Sequence, residues 1–142
     1  LVEYSEINIE AIYTARELIE SGIAALAAVN RTKEDITRME TVLQNIRYCF
    51  QQGDLEGCYQ CDVEFHMALA KAAGNPILLA TMEVLQDIDN ACVKRYDKYL
   101  VGYEGSNKEH QDVLNAVAKQ DPKLAQEAMG LHARNSKTTL LK

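Results

Sequence analysis

The sequence predicts an all-α fold, an antiparallel bundle of six helices, with a seventh before Leu1 left open. Three observations point there. Apolar residues recur at three- and four-residue spacing along nearly the whole chain, while the two-residue alternation of strands is scarce. Capping and helix-breaking residues divide the chain into segments of helix length. Two prolines and seven glycines leave little room for linkers between them.

The helices are expected at 8–30, 32–52, 54–74, 76–101, 106–120 and 121–141. Asn30 and Thr32 interrupt the first, and Thr32-x-x-Asp35 opens the second as a capping box. Gly53 ends the second and Asp54 caps the third. Gly74-Asn75-Pro76 then supplies a C′ glycine, an N-cap and a first-turn proline in succession. Ser106-x-x-Glu109 reads as the capping box that opens the fifth helix, and Asp121-Pro122 opens the sixth. The connections are short, so sequence neighbours should pack antiparallel.

Each helix carries an apolar stripe, and several stripes are interrupted by polar groups. In the first helix Ile9, Ile12, Ile19, Ile23 and Leu26 are aligned, with Arg16 where an aliphatic residue belongs. The second runs Ile36, Met39, Leu43, Ile46, Phe50. The third runs Leu55, Cys58, Asp62, Phe65, Leu69, with His66 one turn after Asp62. The fifth carries His110, Val113 or Leu114, and Val117; the sixth carries Leu124, Ala128, Leu131 or His132, and Asn135. A carboxylate on a core-facing line is costly unless it is paired or bound to metal, so Asp62 needs a partner.

The composition excludes several function classes. The chain has 142 residues, the size of one domain with one core. Its net charge of −6 argues against a direct grip on a phosphate backbone. The longest apolar run, Gly22 to Val29, is far short of the about 20 residues of a membrane span. Four cysteines, unevenly spaced, do not make a disulfide scaffold. Cys58-x-x-Cys61 falls mid-helix and reads as packed thiols rather than a redox pair. Tyr96, Tyr99 and Tyr103 read as lining a helix end or an interface.

Asp62 and His66, four residues apart on one helix, lean from the same face and can chelate one ion. His110 lies eleven residues before Asp121 and His132 eleven after it. In an antiparallel hairpin both then sit about 16 Å from the turn, at matched height. Three imidazoles and a carboxylate suit a first-row divalent metal such as zinc, nickel or manganese, and zinc is favoured on general frequency. The competing reading makes each histidine a hydrogen-bonded core residue, and spacing alone leaves that the commoner outcome. Around this group, Arg16 offers a fork for a carboxylate or else an internal ion pair to Asp62 or Asp87. Gln86, Asp87, Asn90 and Asn135 are candidates for supporting hydrogen bonds or ligand contacts.

A family resemblance bears on the choice. Arg16-Glu17-Leu18-Ile19-Glu20 followed by Ala24-Ala25-Leu26-Ala27-Ala28, then Asp62-Val63-Glu64-Phe65-His66 with Ala73-Gly74-Asn75-Pro76, resemble segments of the FCD domain. Glu109-His110-Gln111-Asp112-Val113-Leu114-Asn115-Ala116-Val117 and Ala128-Met129-Gly130-Leu131-His132 resemble its later helices. The matches fall in order from Arg16 to about Asn135. FCD is the effector-binding C-terminal domain of FadR-type GntR-family transcriptional regulators. The resemblance implies a divalent metal at Asp62, His66, His110 and His132 and a small organic acid in the same pocket; the residues expected to contact that acid are Arg16 and, from their helical positions, Gln86, Asn90 and Asn135. It implies a cytoplasmic, homodimeric regulator without a membrane segment or enzymatic activity. DNA would be contacted only through an N-terminal winged helix-turn-helix domain that lies outside this chain; residues 1–142 form the sensing domain alone. The competing function is a helical-bundle metalloenzyme, a hydrolase using the same site to activate water. A purely structural metal is the third reading.

Overall fold

The computed structural model describes residues 8–92 and 96–141, the side chains of 96–101 excepted. Six helices follow one another: α1 (Ile9–Asn30), α2 (Lys33–Gln51), α3 (Leu55–Ala72), α4 (Pro76–Cys92), α5 (Tyr96–Ala118) and α6 (Pro122–Leu141). There is no strand among the described residues. α1 and α6 form the most extensive pair, followed by α2 with α3 and α5 with α6.

Most boundaries arise from the capping chemistry that the sequence announces. The Thr32 hydroxyl accepts from Asp35 N at 3.1 Å while Asp35 Oδ2 accepts from Thr32 N at 2.9 Å, a reciprocal box. Asp54 caps α3 through Gly57 N at 2.9 Å, Asn75 caps α4 through Ile77 N at 2.9 Å, and Asp121 caps α6 through Leu124 N at 3.1 Å. Gly53 and Gly74 take φ values of 72° and 70°, the left-handed turn that ends the helix before each. At the end of α5 a non-glycine does the same work. Gln120 has φ 57°, its N–H reaches Val117 O at 3.0 Å, and Asp121 N reaches Ala116 O at 3.1 Å, a Schellman turn. Asn30 and Arg31, at the end of α1, donate to the carbonyls of Ala73 and Ala118, satisfying the exposed ends of two other helices.

One boundary is corrected. The expected break at 102–105 does not occur: α5 already includes Tyr96 and continues through Gly102, Gly105 and Ser106. Ser106 is therefore inside a helix, and the capping-box reading fails. Neither glycine has a positive φ. A Cβ at Gly105 would meet nothing within 4 Å, and one at Gly102 only Thr139 Cγ2 at 3.5 Å. These small residues open space beside α6 instead of turning the chain.

The core is continuous through the bundle, centred on Ile23, Met39, Leu43, Ile46, Phe65, Leu69, Met82, Val113, Val117 and Met129. The α6 face lies one position from the expected stripe: Leu124 and Leu131 are 43% and 48% exposed, while Ala125, Met129, His132 and Ala133 are buried. Small residues on the packed faces of α1 (Ala24, Ala27, Ala28) and α6 (Ala125, Ala133) suit a close approach of the two helices. Tyr103 stacks flat on Phe50, ring centroids 3.6 Å apart, which ties α5 to the end of α2. The side chains of Tyr96 and Tyr99 lie outside the described residues.

Candidate metal centre and adjoining cavity

Asp62, His66, His110 and His132 meet in the middle of the bundle, one donor atom of each within 4.8 Å of the others. Helical geometry brings them there. Asp62 and His66 are consecutive turns of α3, and the α5–α6 hairpin sets His110 against His132 with ring centroids 4.5 Å apart. The rings of His66 and His110, and of His66 and His132, lie 5.5 Å and 5.4 Å apart. All three imidazoles are buried.

The donor atoms fit a cation. His110 Nε2 is 3.0 Å and His66 Nε2 3.4 Å from Asp62 Oδ1. Yet Asp62 Oδ1 and both ring nitrogens of His110 are buried without a properly directed hydrogen bond. Buried polar atoms are seldom left so, and four converging donors turned past one another are what a shared ion would satisfy. Burial works to raise the Asp62 pKa, but His110 and His66 together hold it well below the usual carboxylate range. His132 is pushed down to about 4, by burial and then by His110, so its ring is neutral and free to donate a lone pair.

A second layer of carboxylates orients the rings. Glu20 accepts from His66 Nδ1, which leaves His66 Nε2 turned toward Asp62. Glu109 Oε1 accepts from His132 Nδ1 at 2.8 Å and Glu109 Oε2 accepts from Asn135 Nδ2. Carboxylate–imidazole pairs of this kind fix the ring tautomer and raise ligand basicity. Glu20 is held in turn by Arg16, whose Nε and Nη2 reach its oxygens at 2.8 Å and 3.4 Å, while Arg16 Nη1 donates to Asp89 Oδ2 at 3.0 Å. Of the two roles the sequence allowed, the structure shows the internal ion pair, although with Glu20 and Asp89 instead of Asp62 or Asp87, and Arg16 also lines the adjoining cavity.

A cavity of about 290 Å³ opens on this cluster from the α1, α5 and α6 side. Arg16, Asp62, His66, His132 and Asn135 line it, as do Glu20, Glu109 and Ser106. Gln86 and Asn90 do not. Gln86 Nε2 donates to Asn90 Oδ1 at 2.9 Å, and Tyr59 donates to the same oxygen. Gln86 also contacts Asp89 Oδ2 at 3.5 Å, which places this amide group behind the Arg16–Asp89 pair. Glu20, Asp89 and the ring-orienting role of Glu109 are absent from the sequence reading. The signal for Glu20 was available: it lies four residues after Arg16, where a buried guanidinium needs a counter-charge.

Comparison with known proteins identifies the fold family. The FCD domain model matches residues 11–135. The chain is 30% identical to the Exu regulon transcriptional regulator of Escherichia coli, covering 98% of this chain and 54% of that protein. It is 28% identical to the HTH-type transcriptional regulator LutR of Bacillus subtilis, covering 94% and 62%. It is 33% identical to a putative L-lactate dehydrogenase operon regulatory protein of Escherichia coli, covering 91% and 50%. The chain spans about half the length of the curated relatives it matches. Among solved structures, Streptococcus agalactiae GntR superposes with a TM-score of 0.77 at 26% identity, over 95% of this chain and 62% of that one. With the family model covering most of its length and the expected six-helix bundle in place, the chain belongs to the FCD domain family.

Proposed function

We propose that this domain senses a small organic acid through a divalent metal, zinc in the first instance, held by Asp62, His66, His110 and His132. The observation that carries the reading is the four-donor cluster, braced by Glu20 and Glu109, at the floor of a cavity of small-ligand size. A divalent ion there supplies an electrophilic point for a carboxylate oxygen. The chain's own residues do the rest. Glu20 and Glu109 keep the Nδ1 protons on their rings, the buried walls exclude water, and Arg16 and Asn135 face the bound acid. Binding would favour one packing of α1, α5 and α6, and this bias would be passed to a DNA-binding domain in the full-length protein. The full-length protein would be a cytoplasmic homodimer, since two-fold proteins match palindromic operators. That the relatives named above are transcriptional regulators favours sensing over the hydrolase alternative. Among the described residues no helix is long and apolar enough to cross a membrane.

The test is thermal denaturation of the zinc-loaded domain with a panel of short carboxylates, together with operator binding by the full-length regulator. Acids that raise the Tm and change DNA affinity by the same order are expected. A panel that changes neither, or turnover of esters that is lost in His66→Ala, would favour a structural metal or an enzyme respectively.

A further inference from the structure

Three of the four cysteines lie on the α2–α3 hairpin, and neither the metal centre nor the cavity uses them. Cys58 is buried, and its thiol donates to Ile46 O at 3.6 Å, which makes it a packed thiol. Cys49 and Cys61 differ from it. Both are half-buried, so small solutes can reach them.

These two also share one spot on the hairpin. Cys49 is in the last turn of α2, and its sulfur lies against α3 at Gly57: a Cβ on Gly57 would stand 3.0 Å from Cys49 Sγ. Gly57 has no positive φ, so nothing in its backbone requires glycine. Its missing side chain admits the Cys49 sulfur, together with the capping carboxylate of Asp54, to the α3 backbone. Cys61 lies one turn beyond Gly57 on the same face. Helical side chains lean toward the N-terminus of their helix, so the Cys61 thiol covers the turn over Gly57, where the Cys49 sulfur sits. In agreement, Cys49 is the strongest influence on the Cys61 thiol after burial. The partner of Cys61 is therefore across the hairpin, not within Cys58-x-x-Cys61.

We propose that Cys49 and Cys61 form a redox pair, closed into a disulfide by exchange with a small disulfide such as glutathione disulfide. The Cys49 thiol gives its proton to solvent and its sulfur attacks the reagent, whose S–S bond breaks; the first small thiolate leaves and takes up a proton. Cys61 then attacks the Cys49 sulfur of this mixed disulfide. The Cys49–Cys61 bond forms, and the second small thiol leaves with the proton that Cys61 gives up. Two protein thiols are oxidised and one small disulfide is reduced to two thiols. Cys61 is slow toward reagents in solution, but this second step is intramolecular, and proximity replaces reagent concentration. The bridge ties the end of α2 to α3 one residue before Asp62, on the helix that also carries His66. The surrounding thiol–disulfide state thereby acts on α3, independently of acid sensing.

The reduced chain, treated with glutathione disulfide at mildly alkaline pH and digested without reduction, tests this by peptide mass mapping. Most of the parent should lose two of its four free thiols and yield the linked Cys49 and Cys61 peptides, a product that dithiothreitol reverses. Cys61→Ser should stop at a glutathione adduct on Cys49, and Cys49→Ser should leave Cys61 largely unmodified. Far-UV circular dichroism during the reaction should stay helical, because the bridge forms in the folded chain. A parent that keeps glutathione on Cys49 with Cys61 free overturns the pair. So does a main product joining Cys58 to Cys61, a folded parent that the reagent leaves fully reduced, or a bridge that forms only after urea is added.

Discussion

Glu20→Gln is the substitution that separates an organised metal centre from a set of packed histidines. Glu20 is buried and holds two cations' worth of donors, Arg16 through Nε and Nη2 and His66 through Nδ1. Glutamine keeps the shape but replaces one acceptor oxygen with an NH₂ group. One buried N–H of Arg16 or His66 then faces another donor. A charge-assisted hydrogen bond contributes about 1.5–3 kcal/mol, and a buried charge that loses its partner costs about 3–5 kcal/mol. Asp89 still pairs with Arg16 at 3.0 Å, so the lower part of that range applies, about 3 kcal/mol. At this chain length that is a fall in Tm of about 10 °C in the metal-free protein. The measurement belongs at pH 7. The folded-state pKa of Glu20 is depressed: burial opposes the shift, but Arg16 and His66 outweigh it. Its stabilisation is therefore present above the unfolded carboxylate range and lost as pH falls through the folded value. Metal affinity should fall about 10- to 100-fold as well, because the His66 ring loses its anchor. Denaturation of the metal-free protein and competition against a chromophoric chelator read the two effects separately. A Tm within 2 °C of the parent together with unchanged affinity would refute the reasoning.

Three further outcomes follow from the same structure. In the metal-free chain burial disfavours the His66 proton, but Glu20 and Asp62 outweigh it and raise the pKa to about 9, so an ion must displace that proton. Metal affinity should therefore rise about tenfold per pH unit between pH 6 and 8; a flat profile by chelator competition would contradict this. Gln120→Gly relieves a left-handed backbone costing about 1–2 kcal/mol but loses the side-chain bond to Val29 O at 3.3 Å. A net gain of about 0.5 kcal/mol in urea denaturation is expected, and a loss would show the turn to be unstrained. Cys58 and Cys61 are pushed up to about 11 and about 12, by burial first and then by Cys49 nearby. Iodoacetamide should label them in the native protein far more slowly than after denaturation, and equal rates would contradict their assignment as packed thiols.

The fold was legible because capping is local. Thr32, Asp54, Asn75 and Asp121 announce helix starts through hydrogen bonds that span three residues, which any reading of the sequence can find. The α4–α5 boundary was not, because Gly102 and Gly105 serve the cavity between α5 and α6, a tertiary role that mimics a breaker. The four donors were legible for a similar reason. Helix periodicity fixes Asp62 against His66, and equal distances from the hairpin turn fix His110 against His132. What surrounds them depends on how α1 and α4 are rotated against α3. Periodicity does not give that rotation, so Asp89 was overlooked in favour of Asp87, and Gln86 and Asn90 were placed at the ligand instead of behind Arg16. Glu20 was hidden by Ile19, the apolar neighbour that fits the stripe and is only half-buried in the fold.

Elemental analysis of the chain purified without added metal or an affinity tag tests the central claim most directly, with His110→Ala prepared in parallel. The account expects about one equivalent of a divalent transition metal in the parent and little in the variant, from loss of one of four ligands. A folded parent protein that carries no metal, and takes up none when zinc is supplied, would contradict it.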